Sequence, residues 1–189
     1  MSFHEAMHAF VSHALGDTTA KEQGRLTLNP LKHINLYTTV LLPTILILLG
    51  LPPIFIAKPV PFDPSRVKFE EFGVALVGIA GPLTNLFLAG IAALLVRFGA
   101  VAVGTNTYNI FSIFIVINIS FFVFNMIPFP PLDGSRLLYA FAPEPLQEIM
   151  YRIESAGFLV ILLFIFLFFP IISPAIISII NHLYNFLLA

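Results

Sequence analysis

The chain has 189 residues, 58% of them hydrophobic and 10% charged, with a mean hydropathy of +0.96. Soluble domains run to about 25% charged residues and under about 50% apolar ones, so this balance excludes an ordinary soluble domain. A net charge of −1 without a polybasic stretch excludes nucleic acid as a partner, and the absence of cysteine excludes disulfides, thiolate metal ligands and a thiol nucleophile.

No basic-then-apolar signal peptide precedes the first motif, and the expectation is that membrane insertion relies on the spans themselves. Phe3–Leu15 reads as a short helix stopped by Gly16 and Asp17. A polar loop, KEQGRLTLNPLKHIN, follows. Leu36–Ala57 is apolar for 22 residues, roughly 33 Å as helix, which is enough to cross a bilayer. Pro43 and the Pro52–Pro53 pair would kink or break it. KPVPFDPSRVKFEE suits an interfacial loop or a short extended segment. Phe72–Phe98 is the second long span, and its Gly78, Ala80 and Gly81 allow close approach of neighbouring backbones. Tyr108–Ile127 is the third. After a polar interruption over Pro128–Glu154, Ala156–Phe169 and Pro174–Leu188 read as a hairpin broken at PIISP. The expectation is an all-α polytopic membrane protein of about five or six hydrophobic helices, forming one domain over residues 1–189.

The chemistry concentrates at the start, in HEAMH, which fits the pattern H-E-x-x-H. Four residues apart on a helix, His4 and His8 share a face and can share a metal ion. Imidazole suits Zn²⁺, and Glu5 beside it can take a proton from a zinc-activated water. Ionisable residues in a membrane protein's apolar setting are costly unless paired or metal-bound. A catalytic zinc usually has three protein ligands. His13 lies about 140° round the helix from His8 and would need the helix broken before it. Glu22 sits in a loop full of basic residues, where a solvated charge is the plainer reading. Asp133, a lone aspartate in FPPLDG, is costly to bury without a cation, yet an Asp-Gly pair is also an ordinary turn.

Four stretches, HEAMHAFVSHALGD, AKPVPFDP, GIAGPLTN and NMIPFPPLDG, resemble in content and order the site-2 protease family of intramembrane zinc metalloproteases, in its compact form without a PDZ domain. They extend over Phe3–Gly134. The resemblance implies that His4, His8 and Asp133 bind zinc, that Glu5 is the general base, and that Asn125 helps hold substrate near the metal. A hydrogen bond between helices is the alternative role for Asn125, and Asn85 and Lys58 match family positions with structural roles.

Alternating crossings put the HEAMH end of the first helix, KPVPFDP and Asp133 on one side of the membrane, provided Leu36–Ala57 crosses fully. Five basic residues (Lys58, Arg66, Lys68, Arg136, Arg152) fall on that side and four (Lys21, Arg25, Lys32, Arg97) on the other. So even a split does not orient the chain; the resemblance implies that the ligand side is cytoplasmic. Only three residues precede His4, and a helix of about 20 Å is too short to span. The expectation is therefore a sequence that lacks an upstream transmembrane helix.

The function expected is a zinc-dependent endopeptidase of the cell membrane that cleaves transmembrane segments of other proteins within the bilayer. The proline-rich AKPVP segment would lend an edge strand to an unwound substrate. Three rivals stand beside it. One is an inactive zinc-binding relative that chaperones or sequesters membrane proteins. A second is a metal transporter, which the absence of ionisable residues in Tyr108–Ile127 and Ala156–Phe169 disfavours. The third is a soluble-type protease with Glu22 as the metal ligand.

Overall fold

A computed structural model of the protein describes the backbone of residues 1–34, 36–48 and 60–189. Among these residues every regular element is a helix, and there is no strand. Its internal contacts divide it into two units, Met1–Gly81 and Pro82–Ala189.

In the first unit, α1 spans Ser2–Ala14, matching the expected short helix. It ends because Gly16 takes φ +107°, a backbone state that only glycine adopts without strain. The Gly16 N–H then donates to the His13 carbonyl and the Asp17 N–H to that of Ser12, each at 3.0 Å, which satisfies two end carbonyls. One short turn, α2 (Thr19–Glu22), follows. Ala9, Ala20 and Val60 pack into a small core with Leu26 against it. The apolar run from Leu36 begins as a π-helical turn over Leu36–Leu41 and continues as α3, Leu42–Leu48. Pro43 sits where the helix type has just changed, the local irregularity expected of it. The remainder of that run, with Pro52–Pro53 and the crossing on which the sidedness reading depends, lies outside the described residues.

Helix α4 runs from Glu70 to Arg97. It starts from a tight approach in which Phe69 and Glu70 both take positive φ, 68° and 50°, an uncommon state for residues with side chains. Pro82 lies inside α4 and takes away the helical donor of the Gly78 carbonyl, yet the helix continues.

The second unit contains α5 (Asn106–Asn125), α6 (Gly134–Phe141), α7 (Glu144–Ser155), α8 (Phe158–Leu163) and α9 (Phe169–Leu188). Its core is built from the small stripe Ala89, Ala92, Ala93 and Val96 of α4, meeting Ile115, Ile119 and Val123 of α5 and Ile176 of α9. The one-turn spacing of that stripe puts the small residues on one face, so the helix backbones can come close. Outward-facing Phe87, Ile91, Leu94, Ile110, Ile113 and Ile117 are exposed, as suits helices surrounded by lipid. Glu70–Arg97, Asn106–Asn125 and Phe164–Leu188 are each long and apolar enough to cross a membrane. The architecture is that of an all-α polytopic membrane protein.

One expectation is corrected. PIISP does not break the C-terminal segment into a hairpin, because α9 passes straight through Pro174. Proline there cannot donate to the Pro170 carbonyl, but the Ser173 hydroxyl does so at 3.3 Å. Pro170 itself falls in the first turn of α9, where its missing N–H costs little. A π-helical stretch, Phe164–Phe168, joins α8 to α9.

Ala93 is fully buried in this core and Leu94 is exposed. Ala93→Leu should therefore overpack the contact and cost about 1–3 kcal/mol. Leu94→Ala should change little. Thermal unfolding of the detergent-solubilised variants checks both.

Candidate metal centre

Helix α1 places His4 and His8 one turn apart, and their rings meet edge to face with centroids 4.7 Å apart and planes at 82°. His4 is buried and His8 half-buried. The Nδ1 of His8 lies 2.6 Å from the Val77 carbonyl of α4. A carbonyl only accepts, so the proton sits on Nδ1 and the lone pair on Nε2, the arrangement that a carbonyl acceptor behind the ring imposes on metal-binding imidazoles.

Both Nε2 atoms converge on Gly81. A Cβ built there would stand 2.7 Å from His4 Nε2 and would run into His8 Nε2. Glycine alone leaves that space open, so α4 offers a side-chain-free patch against which two imidazole nitrogens point. Such a cradle accommodates a small cation, and nitrogen donors of this kind suit Zn²⁺. Beside the pair, Glu5 is half-buried, and its Oε2 accepts a bond of 3.1 Å from the Val60 N–H. Residues 60–63 have no regular secondary structure, which agrees with a short extended segment and not with a formed strand. Ala57, Lys58 and Pro59 lie outside the described residues.

The other candidates from the sequence fall elsewhere. His13 belongs to the unbroken α1, which carries it about 140° away from His8. Glu22 accepts from the Thr18 hydroxyl at 2.5 Å and lies 3.7 Å from Arg66, both ends exposed, as a solvated loop charge does. In the second unit, Asp133 occupies the N-cap position of α6 without a capping bond from its side chain. The loop before it is a close-built reversal. Leu132 N donates to Phe129 O at 2.9 Å and Ser135 N to Leu132 O at 3.0 Å, and the Ser135 hydroxyl donates to Leu132 O at 2.7 Å. A Cβ on Gly134 would meet the carbonyls of Met126 and Ile127, so the Asp-Gly pair is fixed by steric need. Phe129 stacks on Phe164 with centroids 4.6 Å apart, which ties the loop to the C-terminal helix. Asn125 ends α5, and its Nδ2 donates to Phe121 O at 2.9 Å, a bond within its own helix and not one to a neighbouring helix. Asn85 is buried within α4, in keeping with a structural role.

Three participants were not read as such from the sequence. Val77 contributes only a carbonyl, which no residue type signals. Gly81 was legible as a place of close approach, though the approaching group is a pair of imidazoles and not a helix. Asp17 was read only as a helix stop. Its carboxylate is fully buried and accepts from the Thr19 N–H at 2.9 Å, the Thr19 hydroxyl at 2.5 Å and the Asp63 N–H at 2.9 Å. Burial alone would raise its pKa, but these three donors outweigh burial and hold it below the ordinary carboxylate value.

The sequence profile of Peptidase family M50 matches residues 97–169. The chain is similar to "Putative zinc metalloprotease YwhC" of Bacillus subtilis (strain 168), at 39% identity over 168 residues, 85% of this chain and 74% of that protein. It is also similar to "Putative zinc metalloprotease Rip2" of Mycolicibacterium smegmatis (strain ATCC 700084 / mc(2)155), at 26% identity over 166 residues, 85% of this chain and 61% of that protein. No solved structure matches.

Gly81→Ala should weaken zinc binding by at least ~10-fold, because the added methyl group takes the space before both Nε2 atoms; metal content after dialysis measures this. The Asp17 clasp gives a pH dependence. A depressed folded-state pKa contributes stability above the unfolded value, about 3.9, and that stability disappears as pH falls through the lower folded value. Asp17 should thus give the unfolding temperature no pH dependence above about pH 5 and make it fall below about pH 4, with a shallower fall in Asp17→Asn.

Proposed function

The chain belongs to Peptidase family M50, the site-2 protease family of zinc metalloproteases, and from that premise we propose that it cleaves transmembrane segments of other membrane proteins within the bilayer. The observation that carries this reading is the convergence of the His4 and His8 Nε2 atoms over Gly81, with the Glu5 carboxylate beside them. The reading treats residues 1–189 as one membrane-embedded protease domain in the cell membrane.

His4 and His8 supply two nitrogen ligands, and Asp133 is assigned as the third ligand. Family membership and the NMIPFPPLDG motif support that assignment. A zinc ion held by these residues would supply Lewis acidity to a scissile carbonyl and would lower the pKa of a water towards about 7. The His8–Val77 bond holds one ligand in the tautomer that keeps its lone pair on Nε2. Glu5 accepts the water's proton and returns it to the leaving amine, a role that needs a carboxylate able to exchange hydrogen-bond partners. Its hydrogen-bond partner among the described residues is the Val60 N–H, which an incoming water can replace. Asn125 is assigned to substrate holding; turning away from Phe121 frees both ends of its amide for an unwound peptide backbone. The lack of helical hydrogen bonds over residues 60–63 leaves that segment able to lie alongside such a peptide.

The test uses the zinc-loaded chain in detergent or liposomes with a single-helix membrane substrate. Glu5→Gln should keep about one zinc per chain and lose cleavage by roughly 10²–10⁴-fold. Asp133→Ala should lose the zinc as well, and Asn125→Ala should keep it while raising KM. An unaltered chain that holds zinc yet cuts no membrane substrate would establish the zinc-binding, non-proteolytic relative instead.

A further inference from the structure

Asp17 has no part in the chemistry just described, yet its buried carboxylate accepts three hydrogen bonds. Its two oxygens are used differently. Oδ1 takes both bonds from Thr19, which lock the turn after α1, while Oδ2 takes the Asp63 N–H at 2.9 Å. Asp63 is three residues beyond Val60, whose N–H donates to Glu5. The stretch Val60–Asp63 is thus held at one end by the carboxylate of Glu5 and at the other by that of Asp17.

What lies between is stiff. Pro61 has a fixed φ, and Pro64 restricts Asp63 to extended conformations; Asp63 is observed at φ −106°, ψ 106°. Beyond it, the Asp63 side chain accepts from the Ser65 N–H and hydroxyl, and the Lys68 N–H donates to Leu15 O at 2.8 Å. A short stiff segment pinned at Asp63 passes a displacement there on to Val60. We propose that Asp17 is a positioning residue: by holding the Asp63 amide it sets the register of Val60–Asp63, and so the place of the Val60 N–H against Glu5. This rests on the reading of Glu5 as the general base.

A carboxylate is required for this double grip. Asparagine is nearly the same shape but has one acceptor oxygen; with that oxygen on Thr19, its NH₂ would face the Asp63 N–H, donor against donor. Asp17→Asn is therefore a probe of the Asp63 arm. Thr19→Ala leaves the Oδ2 bond in place and serves as its control. Val60→Pro deletes the amide at the far end of the segment.

Hydrogen exchange of the peptide covering residues 60–68, in the zinc-loaded full chain in detergent, tests the geometry without reference to catalysis. It should rise ~10-fold or more in Asp17→Asn, as an amide does on losing its protecting bond, and stay near the unaltered rate in Thr19→Ala. Zinc content should not change. With a transmembrane substrate, Asp17→Asn should lower kcat by about tenfold, in line with the cost of a misplaced catalytic group. The double variant with Val60→Pro should lose no more than Val60→Pro alone, since both act through one amide. A residue that merely stabilised the fold would add its loss to the other and lower zinc content too. Unchanged exchange in Asp17→Asn, faster exchange with kcat intact, or additive losses would each overturn the proposal. Full cleavage by Glu5→Gln would instead remove the reading of Glu5 as general base, and exchange alone would still decide whether Asp17 holds the segment.

Discussion

The centre of the first unit depends on one close approach, that of two imidazole rings to a stretch of helix bearing no side chain. Gly81 must be glycine for His4 and His8 to stand where they do, and the Val77 carbonyl, one turn earlier on the same helix, fixes the proton of His8. Helix α4 is therefore both the wall against which the pair is seated and the source of its tautomer. A helix can do both because residues four apart share a face, and α4 does so at 77 and 81.

The same economy governs the segment around Glu5. In a largely apolar chain each buried polar group must find a partner within the protein. Asp17 and Glu5 find theirs in backbone N–H groups of a segment more than forty residues later in the chain. Neither bond needs a particular side chain at its donor, but each needs an N–H, so proline at Val60 or at Asp63 would break it. The proline-rich character of the segment has a physical role in this light: with few conformations open to it, little entropy is lost in pinning it.

Much of this was legible in the sequence, and the limits are instructive. HEAMH announces its helix face by spacing alone, and Gly16 announces the end of that helix; both expectations hold in the structure. Two of the three long apolar helices, α4 and α5, follow from length and hydropathy. PIISP misled, because proline was read as a break while the compensating donor, the Ser173 hydroxyl, is an ordinary residue in an ordinary place. The clasp of Asp17 was hidden for a related reason. An aspartate after a glycine reads as a turn, and nothing in the letters says that its second oxygen reaches Asp63. Backbone donors and acceptors such as Val77 O and Val60 N leave no trace in composition, so the second layer of the candidate site was the part that only coordinates reveal.

The stacking of Phe129 on Phe164 has a consequence for the order in which the protein is made. The loop bearing Asp133 leaves the ribosome well before the aromatic rings of Phe164, Phe168 and Phe169, which pack against Phe129 and Phe124. Chains fold from the N-terminus as they are synthesised, so that loop stays without its aromatic support until the last hydrophobic helix is in the membrane. The histidine pair, by contrast, has its whole seat once α4 has been made. The seat of His4 and His8 is thus ready early in translation, and the loop bearing Asp133 gains its aromatic support only when synthesis is nearly complete.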